Sequence, residues 1–97
     1  MDDYLYSAEA RADVNEIWEY IADENIDLAD RVEREIQLAL QKLARNPRLG
    51  HLRRDLTSRN VLFWRIHSYL IVYDPDFRPL VVLRVLRGYR DVAAILQ

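Results

Sequence analysis

Ninety-seven residues, 51% apolar, 31% charged and 10% aromatic, suffice for one small domain with its own core, expected to span residues 1–97. The absence of cysteine excludes disulfides, thiol nucleophiles and thiolate metal sites. The net charge of −2 hides a division: residues 1–44 carry four cations against twelve acids, and residues 45–97 carry ten arginines against four acids. A chain so polarised meets an oppositely charged partner with one of its faces.

In chain order, Tyr4, Leu5 and Tyr6 read as a short opening strand, and Ser7 is a good helix cap. Over residues 8–24, Ala10, Val14, Ile17, Trp18 and Ile21 recur at three- and four-residue spacing, the stripe of an amphipathic helix. Asn25 closes that helix and Asp27 caps a second, over about residues 28–45, with Ala29, Val32, Ile36, Ala39, Leu40 and Leu43 inward and Pro47 as its stop. The short link makes the pair an antiparallel helical hairpin. Residues 48–60 form a charged connector with a turn at Gly50. Residues 61–66 form a strand with Leu62, Trp64 and Ile66 on one side and Phe63 and Arg65 on the other. His67 and Ser68 turn the chain into a strand over residues 69–73, and Asp74, Pro75 and Asp76 make the next turn. Residues 80–87, almost wholly apolar, form a third strand that is central or covered, ended by Gly88. Residues 91–96 supply one or two closing helical turns, with Asp91 as their cap. The predicted class is α+β: an N-terminal strand and helical hairpin packed on an antiparallel sheet, with a short C-terminal helix.

The order of these elements, with several local strings, resembles the RelE/ParE family of bacterial toxins from type II toxin–antitoxin pairs. The strings are IWEYIADEN at residues 17–25, LARNPRLGH at 43–51, RRDL at 53–56, FWR at 63–65, YLIVY at 69–73 and RVLRGYRD at 84–91. The likeness covers essentially the whole chain, and the closing string is more similar to the ParE branch. That branch implies a non-catalytic inhibitor of DNA gyrase, silenced by a cognate antitoxin. The antitoxin would be ParD-like, of ribbon-helix-helix type, and would bind with a disordered acidic tail to give a toxin–antitoxin hetero-oligomer. The alternative is the RelE branch, which cleaves messenger RNA on the ribosome.

Cleavage through a 2′-hydroxyl needs proton-transfer groups as well as cations for the phosphorane charge. In the RelE-like case Arg65, Arg87 and Arg90 would clamp phosphate, with Tyr89 as the nearest phenol. Val92, Ala93 and Ala94 stand where the nuclease branch carries its tyrosine, and Lys42 is the chain's one lysine. The proton-transfer roles are poorly covered, so a non-enzyme with no catalytic residues is expected. For the antitoxin contact the candidates are Arg53, Arg54, Arg65, Arg84, Arg87 and Arg90, with Tyr89 and Trp18 as apolar anchors. Arg84, among Leu and Val neighbours, either pairs with a buried carboxylate or faces the partner. His51 and His67 read as ordinary turn residues, and Trp18, Trp64 and Ile21 as core. No cofactor or metal is expected. No apolar run crosses a bilayer and no secretory signal opens the chain, so the expected setting is the cytoplasm.

Overall fold

The computed structural model describes residues 3–88 and 92–96. The elements are β1 (Tyr4–Tyr6), α1 (Ala8–Ala22), α2 (Ile26–Arg45), a 3₁₀ turn (Pro47–Leu49), β2 (Leu62–Ile66), β3 (Tyr69–Asp74), β4 (Leu80–Arg87) and α3 (Val92–Ile95). The Ser7 hydroxyl caps α1 by accepting from the Ala10 N–H at 3.0 Å. The second cap differs from the sequence expectation. Asn25, not Asp27, holds extended backbone and accepts from the Leu28 N–H at 3.0 Å, so α2 starts two residues earlier. An Asn side chain one residue outside the first turn satisfies the orphan donor that Asp27, already inside it, does not reach.

The sheet runs β1-β4-β3-β2, antiparallel throughout except for β1, which joins β4 in parallel. The helical hairpin between β1 and the other strands lets β1 return alongside β4, so the last strand becomes central. It is covered on both faces. Val14, Ile36, Leu40 and Leu43 of the hairpin pack on Ile71, Tyr73, Val82 and Val85. On the opposite face, Val92 and Leu96 from the C-terminal segment pack on Phe63, Leu70, Val72 and Leu86. The expected phase of β2 is observed: Leu62, Trp64 and Ile66 join the helix-side core and Phe63 the other. Trp18 and Ile21 depart from expectation, since both are half-buried and stand outside the two core clusters. The Trp18 indole N–H instead donates to Asp30 Oδ1 at 2.8 Å, tying α1 to α2 at the rim of the hairpin.

One tether fixes the connector to this core. The fully buried Tyr73 hydroxyl donates to the Pro47 carbonyl at 2.8 Å and accepts from the Gly50 N–H at 2.9 Å. Any Cβ at residue 50 would run into that hydroxyl and the Phe63 carbonyl, which explains the glycine. Past it, His51 forms a bridge with Phe63 on the outer side of β2.

Candidate partner-binding groove

With three residues, β1 pairs with Leu80, Val81 and Val82, and among the described residues no strand lies beside residues 83–87 of β4 on that side. Unpaired strand edges carry unsatisfied backbone groups. Here α1 takes over. Ser7 donates its N–H to the Val82 carbonyl at 2.9 Å and its hydroxyl to the Leu83 carbonyl at 2.8 Å. Asp13 accepts from the Val85 N–H at 3.0 Å and from the Arg84 guanidinium at 2.8 and 2.9 Å. This bidentate bond pushes the Arg84 guanidinium above its usual pKa.

Beyond Val85 the strand and the helix diverge. A groove of about 210 Å³ opens between them, lined by Asp13, Glu16, Ile17, Tyr20, Tyr69, Val85, Leu86 and Arg87. Tyr20 is 64% exposed, and the Arg87 guanidinium lies 4.4 Å from its ring centroid. The guanidinium, charged throughout the physiological range, is held over this aromatic face, and the neighbouring Tyr20 phenol raises its pKa. The groove combines a cation, two phenols, an apolar floor, the Glu16 carboxylate and the end of β4 beyond the Val85 N–H that Asp13 binds.

The structure separates the arginines that the sequence groups together. Arg65 is paired across the sheet with Leu70, and Arg87 with Tyr69, so the two side chains leave opposite faces. Arg65 is exposed and donates to the His67 carbonyl at 3.2 Å. Arg53 chelates Asp55 at 2.9 and 2.7 Å and holds that carboxyl below its usual pKa. Arg54 binds the connector's own carbonyls, Ser58 at 2.7 Å and Arg59 at 3.3 Å. Tyr89, Arg90 and Asp91 lie outside the described residues. Asp13, Glu16, Tyr20 and Tyr69 escaped the sequence reading. Asp13 and Tyr20, seven residues apart, follow one rim of the α1 stripe, which was the available signal.

His51 lies parallel to Trp64, with ring centroids 6.1 Å apart, and His67 contacts Glu35. Among the described residues no three His, Cys, Asp or Glu side chains gather to hold a metal ion, and no helix is long and apolar enough to cross a membrane.

The family model of the ParE toxin of type II toxin–antitoxin systems (parDE) matches residues 4–92. Among solved structures, the chain is similar to one from the chromosomal ParDE toxin–antitoxin system of P. aeruginosa, with a TM-score of 0.74 at 16% identity. The match covers 92% of this chain and 98% of that one, a likeness of fold. No curated protein matches the sequence.

Proposed function

The chain belongs to the ParE toxin family of type II toxin–antitoxin systems, and on that premise we propose that it is a cytoplasmic, non-catalytic inhibitor of DNA gyrase silenced by direct binding of a cognate antitoxin. The groove beside the unpaired half of β4 carries the antitoxin part of this reading. An extended acidic segment running along the end of β4, past the Val85 N–H that Asp13 already binds, would find backbone partners there, place a carboxylate at Arg87 and lay an apolar side chain against Ile17 and Tyr20. Residues elsewhere, including Arg53, Arg54, Arg65 and Trp18, would meet the antitoxin only where it continues around the fold.

The non-catalytic reading is supported by the dispersal of the cations. Arg65 and Arg87 on opposite faces do not converge on one phosphate, and the Lys42 ammonium stands 5.4 Å over the Trp64 ring. Inhibition of gyrase requires only preferential binding of one state of the target, such as its cleaved-DNA intermediate.

Induction without antitoxin is expected to break DNA, raise an SOS response and produce filamentous cells, and the purified chain to accumulate gyrase–DNA cleavage complexes. Codon-positioned cuts in ribosome-bound messenger RNA would overturn the gyrase reading in favour of the ribonuclease branch. For the groove, Arg87→Ala is expected to weaken antitoxin binding by about tenfold or more in calorimetry. Unchanged affinity would remove the groove from the interface.

A further inference from the structure

Diagonally across the sheet from the α1–β4 groove, where β2 begins and β3 ends, lies a second concave surface of about 610 Å³. Arg48 and Arg54 stand on its walls with His51 and Asn60, over Leu52 and Leu62. The last turn of α2 supplies Lys42 and Arg45 nearby. Residues 42–60 hold six cations against one acid, Asp55, and Asp76 adds a second acid at the edge of the surface. Arg48 is paired with Asp76 at 2.5 Å while remaining 72% exposed. Arg54 is held by neutral acceptors, the Ser58 and Arg59 carbonyls and Asn60 Oδ1 at 3.2 Å, so its position is fixed, and among the described residues no carboxylate pairs with it. Between the cations stands a ring stack: exposed His51 lies parallel to Trp64, and the Lys42 ammonium is over the Trp64 ring.

We propose that this corner binds a single nucleic-acid strand, its phosphodiesters on Lys42, Arg45 and Arg54 and a base against the His51–Trp64 stack. Cations tracking a groove beside a stacking platform are what a single strand requires, and neither component reads sequence. An acidic peptide would use the cations and leave the ring stack without a role. The proposal does not depend on gyrase being the target, and the surface is separate from the α1–β4 groove.

The test is fluorescence anisotropy of a labelled oligothymidylate titrated with the full chain over a series of salt concentrations, with a duplex and an oligouridylate as parallel arms. The expected dissociation constant at low salt is about 1–100 µM, and log affinity should fall against log salt with a slope of about −2, as for three phosphates neutralised on a single strand. Lys42→Ala with Arg45→Ala, which touches no connector hydrogen bond, should make the slope shallower by about 1.4. His51→Ala should weaken binding about fivefold or more at unchanged slope. In a Trp18→Phe background the remaining Trp64 emission should be quenched on binding. Comparable binding of DNA and RNA single strands would assign the shared phosphodiester chemistry, and preference for one would name the source. The proposal is overturned by no saturable binding at low salt, by a slope indifferent to Lys42 and Arg45, by Trp64 emission indifferent to the strand, by preference for the duplex, or by a polyglutamate peptide binding as tightly as the oligonucleotide.

Discussion

Tyr73 and Tyr6 both turn a phenol towards the interior beneath the helices, and among the described residues only the first hydroxyl is bonded. Tyr73 serves one donor and one acceptor of the connector. The Tyr6 hydroxyl is buried with no hydrogen-bond partner among the described residues; Tyr4 influences its charge without reaching bonding geometry. Removing a bonded hydroxyl strands its partners, whereas removing an unbonded one relieves a desolvated group. Tyr73→Phe is therefore expected to lower unfolding free energy by about 1–3 kcal/mol, and Tyr6→Phe to leave it unchanged or raise it. Urea titration checks both, and equal losses would contradict the asymmetry. Burial also sets a pH dependence, because it raises Tyr6 from 10.0 to about 12. A native state that keeps its proton longer than the unfolded chain holds that stability in full below pH 10 and loses it as pH climbs through about 12. Urea midpoints followed through this window should fall less steeply in Tyr6→Phe than in the parent.

Asp13 stands in for the strand that β4 lacks, joining α1 to residues 71 and 72 positions away. Asp13→Ala leaves the Val85 N–H and a guanidinium only 27% exposed without their acceptor. The expected cost is about 2 kcal/mol, reduced from the fully buried case by the solvent that reaches Arg84. Hydrogen exchange at the Val85 amide should accelerate with it, while amides in β2 keep their protection. Asp13→Asn, which retains an acceptor, should lose less. The elements themselves were legible: Ser7 capping α1, Pro47 stopping α2, alternation along β2 and an apolar run for β4 all speak through neighbours close in sequence. The parallel return of β1 and the Asp13–Arg84 bond were not, since both are pairings across more than seventy positions with no local signature. Trp18 was misplaced for a related reason. Helical spacing gives a direction, but it leaves open how far the partner helix wraps, and here the indole stays half-buried with its N–H bonded to Asp30 of α2.

At the scale of the molecule, the charge division read along the sequence becomes a division in space along α2. Asp23, Glu24, Asp27 and Asp30 gather at the tip of the hairpin, and Lys42, Arg45, Arg48 and Arg54 gather at the far end of the helix and the connector. Twenty residues of helix separate these ends by about 30 Å. The screening length at physiological salt is about 8 Å, so neither end is neutralised by the other and each presents its own sign to a partner. The same arrangement makes two copies of the chain attractive to one another, acid tip to basic corner, whenever screening is removed. Because net charge vanishes near pH 5.6, no overall repulsion opposes that contact there. Static light scattering of the full chain at that pH is expected to show a negative second virial coefficient at low salt, rising towards zero as salt is added. Reversing two charges at the basic end, Lys42→Glu with Arg45→Glu, should weaken the low-salt attraction. An attraction that persists in molar salt would instead trace to the exposed apolar residues Leu38, Leu52 and Phe77, whose contact strengthens rather than weakens on screening.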